Sequence, residues 1–257
     1  MYQAIAKFSY PYFDENFTSL IFNIVNQWRE NGQMIGREAG VTHFQSVDEA
    51  YFQVNLAIPR QDSLMKKYNS DEVNEALLNA EHYGVKLSGV ELVGKDYRAD
   101  VTSNRAETLC LLLYTTHLDS CSPVFNSHDF LPLPLYEITQ SNQQLSAKII
   151  KWQEDWQACD QLQMNGSTLE EMALTQISEH NSELTQQGRA LCQEIENVTK
   201  KPTYYYLYRL GKDAEFEHNR KCPNCGGNWK LDEPIHEIFY FKCDKCRLIS
   251  NLSWEVL

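Results

Sequence analysis

Apolar and polar side chains alternate over residues 2–8, the period-2 pattern of a strand with one buried face. The period then lengthens. Phe17, Leu20, Ile21, Ile24, Val25 and Trp28 recur at helical spacing, with Asp14 as the candidate N-cap and Gly32 just past the end. A short strand is expected near Met34. Alternation returns at Phe52, Val54, Leu56 and Ile58 and is closed by Pro59. Val73, Ala76, Leu77 and Ala80 mark a second helix that stops near Gly84, and residues 86–93 and 108–116 read as two more strands. This order predicts an α+β class, with a ferredoxin-like α/β sandwich over residues 1–140.

Residues 117–140 show no period and contain Pro123, Pro132 and Pro134. His117, Asp119, Cys121, His128 and Asp129 fall in this stretch. They read either as a second metal or hydrolytic site or as polar loop residues that cap turns, and their spacing matches no ligand pattern. Helical spacing resumes at Leu145, Ile149, Trp152, Trp156 and Cys159, and Ser141 with Gln144 forms a capping-box pattern. Asn165-Gly166 ends that helix, and Ser167 with Glu170 repeats the box. A second stripe follows through Leu169, Met172, Ala173, Ile177, Leu184, Leu191, Ile195 and Val198 up to Pro202. Residues 141–201 therefore predict an antiparallel helical hairpin. Tyr204, Tyr205 and Tyr206 then read as an amphipathic edge strand, a stacking platform, or a strand packing the tail onto the body.

Composition narrows the class. The chain has 257 residues, 42% hydrophobic and 23% charged, in the range of folded domains with a real core. No apolar run reaches the roughly 18 residues of a membrane span, and the N-terminus lacks the pattern of a secretory signal. A cytoplasmic protein with no membrane partner is expected, its thiols reduced.

The cysteines carry the sharpest chemistry. Cys110, Cys121, Cys159 and Cys192 are scattered and expected to be free thiols. Cys222, Cys225, Cys243 and Cys246 form a C-x2-C-x17-C-x2-C pattern. Two such turns present four soft thiolates to one tetrahedral zinc ion, and a closed shell of four makes that zinc structural. A pair of disulfides and a redox C-x-x-C are the alternatives. Pro223 and the Gly226-Gly227 pair suit a tight turn around a metal, while His218 and His236 lie near in sequence as substitute ligands. Trp229 opens one arm of an intervening hairpin, residues 235–242 form the other, and residues 248–254 add a third strand. Residues 202–257 thus predict a zinc ribbon with one zinc per chain.

Charge is uneven. Residues 1–199 carry 13 basic and 27 acidic side chains, a net of −14, and residues 200–257 carry 10 and 8, a net of +2. In the tail, Lys230, Lys242, Lys245 and Arg247 interleave with Trp229, Phe239 and Phe241. Cations meet phosphates and aromatic faces stack on bases, so these seven are candidate nucleic-acid-binding residues. The same residues also suit a small ribbon core ringed by solvated cations.

The tyrosine run after Lys201-Pro202-Thr203, the segment Cys222-Pro223-Asn224-Cys225-Gly226-Gly227 and the segment Phe241-Lys242-Cys243-Asp244-Lys245-Cys246-Arg247-Leu248 resemble a family of uncharacterised bacterial proteins. They are described as zinc-ribbon-containing, with a suggested nucleic-acid-binding role, and the resemblance extends to length and N-terminal start. It implies a ribbon that touches RNA or DNA. The acidic body points instead to a protein-interaction factor with a basic partner, such as an adaptor, inhibitor or immunity-like protein. No P-loop, G-x-S-x-G, H-E-x-x-H or dinucleotide glycine pattern occurs, so no enzyme is expected.

Overall fold

A computed structural model describes residues 1–37, 39–104, 108–116, 118 and 120–256. The chain is mixed α+β and divides into two units. One comprises residues 1–104, 119–122 and 131–150; the other comprises residues 105–118, 123–130 and 151–257. These units cut across the sequence segments 1–140, 141–201 and 202–257.

The first unit begins with strand β1 (Tyr2–Ser9), helix α1 (Phe17–Glu30), strands β2 (Val41–Gln45) and β3 (Ala50–Ile58), helix α2 (Asp71–His82) and strand β4 (Lys86–Lys95). The sheet order is β2-β3-β1-β4, and every pairing is antiparallel. Ala4, Ala6 and Phe8 of β1 and Phe52, Val54, Leu56 and Ile58 of β3 share one core with Ile21, Ile24 and Trp28 of α1 and Val73, Ala76 and Ala80 of α2. Each fully buried Leu, Ile, Val or Phe contributes roughly 1.5–3 kcal/mol, so the stripes that predicted these elements also hold them together.

Two details differ from expectation. The residue near Met34 makes only an isolated bridge, Ile35 to Ala57, and the true extra strand is β2. In β2 only Val41 is even half-buried, so an edge strand of this kind leaves no hydrophobic alternation. Helix α2 starts as the sequence indicates, with the Ser70 hydroxyl accepting from the Val73 N–H at 3.2 Å. The unit closes with α3 (Leu135–Ile138) and the first turns of α4 (Gln143–Asn165). Helix α4 is capped by Asn142, whose side chain accepts from the Leu145 N–H at 3.1 Å. Ser141 does not make the expected box: it sits at φ 59° and donates to the Tyr68 carbonyl.

In the second unit, strands β5 (Leu111–Leu113), β6 (Val124–Asn126), β7 (Thr203–Leu207), β8 (Lys230–Ile235), β9 (Phe239–Cys243) and β10 (Leu248–Asn251) form one sheet of order β6-β5-β7-β10-β9-β8. The strand expected over residues 108–116 shrinks to β5 and belongs here. Strand β7 pairs in parallel with both β5 and β10. It is therefore central, and all five of its residues are buried. Neither an edge strand nor an exposed stacking platform survives. Parallel central strands are buried on both faces, which is why three consecutive tyrosines fit.

The helical segment is also more broken than its stripe suggests. After the remainder of α4 come α5 (Glu170–Ser178) and α6 (Glu183–Thr199). Ser182 interrupts the stripe by capping α6, accepting from the Thr185 N–H at 3.2 Å. Helix α5 is entered through Leu169 at φ 60°, with no side-chain cap from Ser167. A short helix α7 (Ala214–Asn219) leads into the cysteine-bearing segment.

Gly188 on α6 lies close against the sheet. A Cβ there would lie 2.2 Å from Tyr205 Cε2 and 2.7 Å from Trp152 Nε1. Both rings are buried, so neither can swing away. Gly188→Ala should therefore destabilise the protein by about 1–3 kcal/mol despite alanine's better helix propensity. Chemical denaturation checks this; an unchanged or raised midpoint would contradict the packing.

Candidate metal centre

Strand pairing and turn geometry bring the four cysteines together. In the first turn the Gly226 N–H donates to the Cys222 carbonyl at 2.8 Å, and the Cys222 N–H donates to the Gly227 carbonyl at 2.9 Å. Gly226 adopts φ 70°, which a side chain would strain. The second turn follows β9: Cys243 ends that strand, and Arg247, at φ 54°, turns the chain into β10. The Lys242 N–H donates to the Trp229 carbonyl at 2.7 Å, tying the approach to the first turn onto the second arm.

The four Sγ atoms lie within 4.8 Å of one another, and Cys225 Sγ is 3.7 Å from Cys243 Sγ. A disulfide needs about 2.05 Å, and all four thiols are free. Cys222, Cys243 and Cys246 are buried and Cys225 half-buried. The Gly227 N–H beside Cys225 lowers that thiol to about 7. Burial pushes Cys243 up to about 12 and raises Cys222. The Asn224 side-chain amide donates to Cys246 Sγ at 3.2 Å. Clustered soft donors with N–H groups aimed at sulfur are the arrangement that holds a metal ion. Among the described residues, no other group of three or more His, Cys, Asp or Glu side chains comes together this way.

The substitute ligands stay outside. His236 is in the hairpin turn, its Nε2 2.8 Å from the Ser127 carbonyl and its ring stacked on Phe130. His218 is exposed on α7. His117 and Asp119 lie outside the described residues. Cys121 is buried, and the Asn126 side chain accepts from the His128 N–H in a turn.

The seven candidate nucleic-acid contacts separate into two groups. Trp229, Phe239 and Phe241 are 2%, 0% and 0% exposed. They are core, and no face is left for a base. Along β9 the buried positions are Phe239, Phe241 and Cys243, so the aromatic rings share a face with one of the four clustered cysteines. Lys242 pairs with Asp244 at 2.7 Å and lies 4.7 Å from the Tyr204 ring centroid. Arg247 pairs with Glu196 at 3.3 Å. Lys230 and Lys245 are exposed and make no ion pair among the described residues.

Sequence reasoning missed a buried charge cluster beside Trp229 and Phe241. The Glu217 carboxylate meets Arg209 at 2.7 Å and Arg220 at 3.4 Å, and its side chain is 1% exposed. Arg220 lies 3.9 Å from the Phe241 ring centroid and 4.8 Å from that of Trp229, whose indole N–H donates to the Arg220 carbonyl at 3.1 Å. Burial lowers the Arg220 guanidinium to about 10. Net charge alone cannot reveal such a triad, because its charges look like solvated surface until the fold covers them.

The scattered cysteines are single thiols. Cys121 and Cys192 are buried, and burial holds Cys121 up at about 12 and Cys192 higher still. Cys110 and Cys159 are half-buried. Alkylation of the native protein should therefore label Cys110 and Cys159 ahead of Cys121 and Cys192, with all four labelled without reductant after denaturation. Mass spectrometry reads the order; early labelling of Cys192 would contradict its burial.

Three domain models match, each described only as a domain of unknown function: DUF8589 over residues 1–94, DUF2310 over residues 105–208 and DUF8594 over residues 211–256. An uncharacterised protein of Haemophilus influenzae is 48% identical over 244 residues, covering 95% of this chain and 94% of its own length. A second uncharacterised protein of that organism is 48% identical over 204 residues, covering 79% of this chain and 96% of its own. No solved structure matches. None of these descriptions mentions a metal or a nucleic acid, so they uphold the resemblance only as far as an uncharacterised bacterial family. The chain belongs to the family of these uncharacterised Haemophilus influenzae proteins.

Proposed function

We propose that Cys222, Cys225, Cys243 and Cys246 hold one structural zinc ion in a C-terminal ribbon of a non-enzymatic, cytoplasmic binding protein, whose acidic body engages a basic protein partner. The observation that carries the metal reading is the cluster of four sulfurs within 4.8 Å. A zinc–sulfur bond of about 2.3 Å places the corners of a tetrahedron roughly 3.8 Å apart, close to the 3.7 Å between Cys225 and Cys243. Four thiolates fill the shell and leave no position for a substrate. Their chemistry also suits a compartment that keeps thiols reduced. The ferredoxin-like reading of the first unit is supported by its order, β2-β3-β1-β4, with α1 and α2 following β1 and β3.

Protein binding draws support from the net of −14 over residues 1–199 and from aromatic side chains left in water: Tyr12 is 60% exposed, Phe13 53% and Phe44 40%. The nucleic-acid reading keeps one observation, the unpaired exposed Lys230 and Lys245. Affinity capture from native cells, with and without nuclease, separates the two. A basic protein retained after nuclease and released by salt is expected. Capture that vanishes with nuclease would overturn the protein reading.

A further inference from the structure

Beside the second cysteine turn lies a pocket of about 160 Å³, walled by α6, the start of β7 and both cysteine turns. A site that encloses a drug-sized molecule is larger, roughly 300–1,000 Å³, so this one suits a single small charged group. Its charged side chains are Arg189, Lys245 and Arg247 against Glu196, beside Cys246 of the proposed metal site. Arg189 is half-buried and Lys245 exposed, and neither makes an ion pair or side-chain hydrogen bond among the described residues.

The pocket wall already receives an oxyanion. Glu196 Oε2 accepts from the Thr203 N–H at 3.2 Å and from Arg247 Nε at 3.3 Å, while Oε1 accepts from another Arg247 nitrogen at 3.3 Å. That bidentate guanidinium grip is the geometry that recognises carboxylate or phosphate. The Arg247 guanidinium holds the Glu196 carboxyl below its usual range, so it is ionised at neutral pH. Arg247 is thus satisfied internally, and Arg189 and Lys245 have no ion-pair partner among the described residues.

We propose that this pocket binds the phosphate group of a ligand, with Arg189 and Lys245 supplying the charge and the Arg247–Glu196 pair forming the wall beside them. The group comes from a free phosphate or mononucleotide, or from a polynucleotide backbone; the chemistry at the pocket is the same. Phosphate rather than carboxylate is favoured because two cations, Arg189 and Lys245, line the same small pocket with no ion pair among the described residues. An alternative role for the cations is to offset the negative charge of a metal bound by four thiolates, since Cys246 also lines the pocket.

The test uses the full metal-loaded chain, with metal content measured on every sample, so that failure of the metal reading and failure of the pocket are told apart. Isothermal titration with inorganic phosphate should show saturable binding. Arg189→Gln and Lys245→Gln should each weaken it about tenfold with metal retained, the loss expected for one charge-assisted contact. Glu196→Gln should strengthen it by removing the competing charge. Displacement of phosphate by a mononucleotide but not by an oligonucleotide would assign the free ligand, and the reverse would assign a backbone; both support the pocket. No saturable phosphate binding by metal-loaded wild type would overturn the proposal. So would variants that lose metal while metal-retaining molecules bind phosphate as wild type does.

Discussion

Cys222→Ser combined with Cys243→Ser should abolish metal binding and unfold the ribbon. The two changes remove one ligand from each turn, and the remaining pair cannot close a tetrahedral shell. The core of the ribbon is Trp229, Phe239, Phe241 and Leu248 around the cysteines. Zinc binding to small ribbon-like peptides is worth about 10–16 kcal/mol near neutral pH and is largely their folding energy. The effect should spread, because β10 pairs with β7 and Tyr206 donates to Asn251 across that boundary at 3.2 Å. Loss of metal should thus appear together with lost near-ultraviolet ellipticity and faster proteolysis after Leu207. A double variant that keeps full metal content and wild-type stability would contradict the assignment.

Glu217→Ala should cost about 3–5 kcal/mol, because it leaves the buried Arg220 guanidinium and the half-buried Arg209 without their counter-charge. Arg209 and Arg220 both turn on this one carboxylate, whose side chain is 1% exposed. Arg220 also lies against the Trp229 and Phe241 rings, so repulsion there reaches their packing directly. For a chain of this length the melting temperature should fall by on the order of 10 °C. Glu217→Gln should lose less, since the amide oxygen still accepts from Arg209 at the 2.7 Å position. Thermal unfolding of both variants with metal present checks the order, and equal stability of Glu217→Ala and wild type would contradict a buried triad.

Most elements were legible where packing and pattern coincide. Strands β1 and β3 and helices α1 and α2 bury the same residues that set their periods, and the cysteine spacing marked the four clustered thiols. The rest was hidden for physical reasons. Strand β2 is nearly all exposed, so its pairing with β3 has no apolar signature. The break between α5 and α6 depends on one hydroxyl at Ser182, within an apolar stripe that continues across it. Aromatic rings at Trp229, Phe239 and Phe241 suit a base-stacking surface and a small core equally well by residue type. Parity separates the two, because Phe239 and Phe241 alternate in step with Cys243 and must face where it faces. Tyr205 shows the converse case. Its hydroxyl is 3.3 Å from Thr185 Oγ1 on α6, a long-range partner that no local pattern announces.

X-ray absorption spectroscopy at the zinc edge, on protein purified without added metal, tests the central claim most directly. The account predicts one zinc per chain with four sulfur neighbours at about 2.3 Å and no nitrogen or oxygen in the first shell. Protein that is folded and metal-free, or zinc with a mixed shell containing water, would contradict it.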